Sequence, residues 1–235
     1  MDATRILKDD ELGTLFVRVN ARARRLTFRV KGDGIYVTVP PRTSLAEVKR
    51  AVGQLRPRLR EAGRKQARKL LDLDYRIDTE FFKLTLVSGQ REQFLSRSES
   101  GEMQIICPPD TDFTNGNLQA WLRKVLEEAL RRRAKAILPP RLQMLSTKHN
   151  LPYKSVRINS SSGRWGSCSA QGSINLSYYL VLLPSHLVDY VLLHELAHTR
   201  EMNHGEGFWT LLDRLTDGKA RALREELKGY RTEIG

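Results

Sequence analysis

Alternation of apolar and polar positions dominates the first forty residues. Residues 15–19 read LFVRV and residues 26–30 read LTFRV. After the turn-forming Lys31-Gly32-Asp33-Gly34, residues 35–39 read IYVTV. A period of two marks strands that turn one face to a core, and the turn between the last two predicts an antiparallel meander. Pro40-Pro41 ends the pattern, and Ser44 is placed to cap a helix running to about residue 71. Leu45, Val48, Val52, Leu55 and Leu59 recur there at helical spacing, the signature of one buried stripe.

Further on, residues 81–87 and 103–106 predict two more strands joined through a polar hairpin. A helical pattern then runs from about residue 117 to 150, with Pro139-Pro140 expected to kink or divide it. Short strands follow at 154–158 and 173–181, and Pro184 is expected to open a helix at its first position. Helical spacing returns at about 206–215 and 219–228. No internal repeat appears. The order predicts an α+β chain, with a β-rich N-terminal region over 1–112 and a mostly helical domain with a small sheet over 113–235.

The apolar runs at 180–183 and 187–193 are far shorter than the roughly 20 residues of a membrane span, so no membrane role is expected. Met1 to Asp10 carries three aspartates and no apolar stretch, which predicts no secretory signal. Two cysteines, Cys107 and Cys168, do not make a disulfide framework; a cytoplasmic protein with reduced thiols is expected. The formal charge of +13 attracts polyanions. Ten Lys and Arg against Glu47 and Glu61 between Arg42 and Lys69 make the N-terminal region, and Arg58, Arg60, Arg64 and Lys65 in particular, a candidate nucleic-acid surface, although the apolar spacing alone accounts for a helix there.

Residues 191–209, VLLHELAHTREMNHGEGFW, carry the chemistry. His194 and His198 are four apart, so on a helix they stand one turn apart and about 40° round the axis, where both imidazoles reach one ion. Glu195 is the next position round, close enough to serve a metal-held water as general base without being a ligand; this is the HExxH arrangement. A third ligand completes a site that keeps one position open. His204 fits only if the chain turns after His198, because a continuous helix would carry it about 15 Å away; Asn203 or Gly205 is expected to supply a left-handed residue for that turn. Burying two histidines and a glutamate in so apolar a helix costs several kcal/mol unless they are paired or ligated.

Other residues stay in play. Glu201 and Glu206 are alternative third ligands, and Cys168, in what reads as a tight turn, is a candidate fourth. Arg164, Asn175 and Tyr178 are candidates to hold a developing oxyanion. Phe208 and Trp209 read as core anchors, and His149 and His186 as surface residues.

The run at 163–209, GRWGSCSAQGSINLSYYLVLLPSHLVDYVLLHELAHTREMNHGEGFW, resembles the YgjP-like zinc metallopeptidases, relatives of the SprT-like group. The shared features are the RWGSCS segment, a strand, the HELxH helix and the NHxxxFW tail. The likeness extends over residues 157 to about 227. It implies a zincin-like fold, a zinc ion on His194, His198 and His204, Glu195 as catalytic residue and a polypeptide substrate. Hydrolysis by a zinc-activated water is the expected reaction, with residues 173–179 as an edge strand for an extended substrate. Two other readings remain at this point: a metal-dependent nucleotide hydrolase attacking a phosphoanhydride, and a nucleic-acid-associated protein whose zinc is structural.

Overall fold

More and less exposed positions alternate along most of each early strand, and this sets which face each one turns inward. In the computed structural model, which describes residues 5–31, 34–66, 69–161, 163–232 and 234 (without the side chains of 64–66), the chain forms two compact units, Met1–Lys69 and Leu70–Gly235. The boundary expected near residue 112 falls inside the second unit. The described residues hold three small mixed sheets and five α-helices, an α+β architecture. No helix among them is long and apolar enough to cross a membrane.

The first unit contains β1 (Arg5–Asp9), β2 (Gly13–Val19), β3 (Thr27–Lys31), β4 (Gly34–Val39) and α1 (Leu45–Gln66). Its sheet runs β1-β2-β4-β3, with β2 and β4 parallel in the register Leu15↔Ile35. The expected antiparallel meander is therefore wrong in one pairing: β3 and β4 form the predicted hairpin, but β4 then lies beside β2 rather than at the edge. Alternation reports which face is buried and carries no record of which strand lies alongside. Leu15, Val17, Ile35, Val37 and Val39 pack with Val48, Val52 and Leu59 of α1 as one core. Ser44 and Glu47 form a reciprocal cap at the start of α1, Ser44 N–H donating to Glu47 Oε2 at 2.7 Å and Glu47 N–H to Ser44 Oγ at 3.2 Å. The helix stops short of residue 71, since Leu71 is buried in the other unit's core.

The second unit begins with β5 (Arg76–Asp78), β6 (Lys83–Ser88), β7 (Leu95–Glu99) and β8 (Glu102–Cys107), followed by α2 (Gly116–His149). Its sheet runs β5-β6-β8-β7, antiparallel, parallel, antiparallel, the same topology as the first. The chain thus repeats a four-strand-and-helix module, although no repeat was expected from the sequence. Its one sequence trace is the Pro-Pro pair that closes both β4 (Val39-Pro40-Pro41) and β8 (Cys107-Pro108-Pro109).

α2 runs unbroken through Pro139-Pro140. Asn115 caps its start through hydrogen bonds from the backbone of Asn117 and Leu118, and Asn150 ends it in the left-handed conformation. Leu122, Leu126, Leu130, Leu138 and Leu142 are fully buried along its length. That tertiary burial offsets the two backbone donors the prolines remove. On this core rest β9 (Ser155–Asn159), β10 (Gly166–Cys168), β11 (Ser173–Ser177), a 3₁₀ turn at Tyr178–Leu182, α3 (Ser185–Ala197), α4 (Glu206–Leu215) and α5 (Ala220–Leu227). The strand expected over 173–181 stops at Ser177, whose hydroxyl accepts from the Tyr179 N–H and opens the 3₁₀ turn. Arg141 of α2 grips Asp189 of α3 with two hydrogen bonds, tying the motif helix to the long one.

Candidate active site

α3 is apolar almost all round, and Leu187, Val188, Leu192, Leu196 and Ala197 have no exposed surface. Its polar residues are therefore held rigidly, and His194 and Glu195 sit in its last turn. His198 is the first residue past the helix. The chain reverses there through hydrogen bonds from the N–H groups of Thr199, Arg200 and Glu201 to Leu196 and Ala197, before α4 starts at Glu206. The reversal needs no left-handed residue: neither Asn203 nor Gly205 has positive φ, and Gly205 is extended at φ −77°. The expectation of a left-handed turn is corrected in that respect, while the reversal itself brings His204 back.

The three imidazoles converge. His204 Nε2 lies 3.1 Å from His194 Nε2 and 3.2 Å from His198 Nε2. One ligand atom from each falls within 4.8 Å of the others, and the group contains neither Cys168, Glu201 nor Glu206. His198 Nδ1 donates to the Glu201 carbonyl at 2.9 Å, so its Nε2 keeps a lone pair facing the centre. Glu201 serves here through its backbone, and its carboxylate lies against Gly207, where an added Cβ would come within 3.2 Å. Burial, and then the neighbouring imidazoles, push His194 down to about 3 and lower His204 as well. Both stay neutral at physiological pH, the form in which histidine binds a metal.

Phe208 of α4 underlies the cluster. Its fully buried ring is 4.9 Å from the His194 ring, 4.6 Å from His198 and 4.7 Å from His204, centroid to centroid. Trp209 is half-buried, with the guanidinium groups of Arg221 and Arg224 over its face at 4.4 and 5.2 Å. Both behave as the expected anchors.

Glu195 is 5% exposed, and its Oε2 is buried without a hydrogen-bond partner. Burial pushes its carboxyl up to about 8, against the opposing pull of the Arg164 charge. Space for the carboxylate comes from Gly166 of β10: a Cβ there would sit 2.6 Å from Glu195 Oε1 and 2.8 Å from its Cδ. Gly166 was not singled out in the sequence, because its partner is 29 positions away and no local pattern marks the contact. The segment read as a tight turn round Cys168 is instead a strand, paired with β11 in the register Ser167↔Asn175.

A cleft of about 240 Å³ is lined by Gly166, Ser167, Cys168, His194, Glu195, His198, Met202 and His204. Cys168 faces it half-buried, its thiol raised by burial and by the Glu195 charge. Of the three oxyanion candidates, Arg164 acts on Glu195 through its charge. Asn175 and Tyr178 do not line the cleft, and Tyr178 is 1% exposed with Arg131 over its ring. His186 is exposed and bonded to Glu226 at 2.8 Å, as a surface residue should be, whereas His149 is half-buried rather than on the surface. The edge strand expected at residues 173–179 is also corrected. β11 is central in the order β10-β11-β9, and β10, beside the cleft, is an edge.

No curated protein matches this chain. A solved structure, the metallopeptidase zymogen abylysin of Pyrococcus abyssi, is similar at 21% identity, covering 40% of this chain and 93% of that one with a TM-score of 0.37. The profile of the YgjP-like metallopeptidase domain matches residues 24–230, nearly the whole chain and all of the histidine cluster. By that match the chain belongs to the YgjP-like metallopeptidase family.

Proposed function

We propose that the chain is a zinc-dependent peptidase in which His194, His198 and His204 hold the metal and Glu195 moves the proton. The observation that carries this reading is the convergence of three imidazole nitrogens beside a buried carboxylate whose Oε2 has no partner. His204 Nε2 lies 3.1 and 3.2 Å from two other ring nitrogens, and one ring nitrogen cannot both donate and accept; a cation at the centre resolves the conflict. Three histidine nitrogens with a fourth position open are a donor set that suits zinc and is found in catalytic sites.

When bound, zinc supplies Lewis acidity, polarising the scissile carbonyl and acidifying the attacking water. Glu195 takes the proton from that water on its free carboxylate oxygen and returns it to the leaving amide nitrogen. Gly166 leaves the carboxylate room to face the cleft, and Phe208 holds the three rings at fixed angles. The outer edge of β10 gives an extended polypeptide backbone groups to pair with beside Glu195. A bond from Cys168 would have favoured a purely structural zinc, and the histidine group does not include Cys168.

The zinc-loaded protein is expected to cleave unfolded casein, to lose that activity on chelation and to recover it when zinc is restored. Stoichiometric zinc without cleavage of casein or of a peptide library would contradict the proposal.

A further inference from the structure

We propose that the solvent-facing side of the first sheet binds single-stranded nucleic acid, stacking bases on Phe16 and Tyr36 and holding phosphates with the basic residues around them. This is independent of the peptidase reading and concerns the first unit alone.

The register places side chains in rows across the strands. The central outward row is Ile6–Phe16–Tyr36–Arg29. Lys8, Thr14 and Lys31 flank it on one side, and Arg18, Thr38 and Thr27 on the other. Ile6 is 63% exposed, and Phe16 and Tyr36 are half-buried with ring centroids 4.7 Å apart and planes 22° from parallel. Lys31 Nζ stands 4.2 Å from the Tyr36 ring centre. None of these positions is acidic, and α1 packs on the opposite side of the sheet. The two rings already stack on each other and Lys31 covers Tyr36, so bases join this stack at its ends, with Lys31 moving from the ring to a phosphate, while other phosphates meet Arg and Thr.

The repeated module is an internal control. In the second sheet the equivalent row is Arg76–Thr85–Gln104–Arg97, and one flank is Asp78–Lys83–Glu102–Glu99. The same topology thus folds with polar residues in place of the aromatic pair and with acids in place of the lysines. Neither feature of the first sheet is required by the fold. The charge is partitioned the same way. Residues 1–69 hold 18 of the 40 Lys and Arg and 7 of the 27 Asp and Glu, a net +11 of the chain's +13.

The sheet face is a better candidate than the basic helix read from the sequence. On α1, Arg56 is bonded to Asp9 through two contacts of 2.9 Å, and Arg60 is paired with Glu11 at 3.8 Å. The side chains of Arg64 and Lys65 lie outside the described residues.

The test is fluorescence anisotropy on the full chain with a labelled oligothymidylate of about 15 nucleotides, at about 50 and 200 mM salt. The intact protein should bind the single strand more tightly than a duplex of the same length, and lose affinity steeply with salt. Phe16→Leu and Tyr36→Leu keep an apolar side chain but remove the π face, and each should weaken binding roughly 5- to 100-fold, the range expected for one lost stack. Phe16→Tyr should retain it. Arg18→Glu with Arg29→Glu should flatten the salt dependence by about one unit per lost phosphate contact. Arg58→Glu on α1 should change little, and circular dichroism should report an intact fold throughout. Absence of binding at low salt would overturn the proposal, as would leucine variants that bind like the parent. So would a duplex or a polyglutamate peptide held as tightly as the single strand, or Arg58→Glu weakening binding as much as the sheet pair.

Discussion

The two sheet-and-helix modules follow one chain path and end in opposite situations. In the first, α1 buries a single stripe, Val48, Val52 and Leu59, against five core residues of the sheet and leaves its charged face in water. In the second, α2 buries ten of its 34 residues, spread along its length, and becomes the floor on which β9–β11, the 3₁₀ turn and α3 are laid. Solvated charge is cheap, so a basic surface helix needs no further reason to exist. A carboxylate and an imidazole inside an apolar helix, with a second buried imidazole at its end, are expensive, and such an arrangement persists where something uses it. The difference shows why residues 185–209 speak about chemistry and residues 45–66 do not.

The comparison breaks if the two cores are coupled. Leu126, in the first half of α2, has no exposed surface, and Leu126→Ala should cost about 2–5 kcal/mol and weaken metal retention as the floor of the site loosens. Val52 is 3% exposed in the first core, and Val52→Ala should cost about 2 kcal/mol and leave metal content unchanged. Chemical denaturation followed with metal analysis separates the cases; loss of metal from Val52→Ala would show that the two cores are energetically coupled.

Gly166→Ala sharpens the picture of the site. An added methyl group meets the Glu195 carboxylate, which must shift from its place to make room. Turnover should fall roughly 100-fold, the scale of a misplacement near 1 Å, with metal still bound because no histidine is touched. Unchanged kcat would mean that Glu195 does not depend on β10 for its position.

A smaller effect belongs to pH. In the metal-free protein the Glu195 carboxyl is raised from 4.5 to about 8 by burial. Its contribution to stability is full below about pH 4.5 and is lost as pH climbs through 8, because the unfolded chain gives up the proton first. Removing that group therefore makes metal-free Glu195→Gln gain on the metal-free parent between pH 5 and 8, with a slope of at most about 1.4 kcal/mol per pH unit. His194 pulls the other way, losing stability as pH falls from 6.5 toward 3, but it is present in both proteins and cancels. Parallel stability curves would show that the carboxyl is not held in an apolar setting.

What the sequence disclosed follows from the range of each signal. The spacing of His194, Glu195 and His198 is set within one helical turn, so it was readable. The return of His204 required only that the helix stop. Strand neighbours were not readable: the parallel β2–β4 pair, the central place of β11 and the repeated module all depend on pairings that alternation does not encode. The pocket that Gly166 opens for Glu195 and the packing of Phe208 under three imidazoles are long-range contacts of the same kind. Pro139-Pro140 misled for a related reason, since a local cost was offset by burial that only the folded chain supplies.

Metal content and turnover measured together on Glu195→Gln test the central claim most directly, with His204→Ala beside it. The account predicts that Glu195→Gln keeps one zinc per chain and loses nearly all casein cleavage, because that carboxylate moves a proton and ligates nothing. His204→Ala should lose zinc affinity by more than the 10- to 100-fold typical of residues behind the ligands. Zinc lost from Glu195→Gln, or zinc kept at full affinity by His204→Ala, would contradict it.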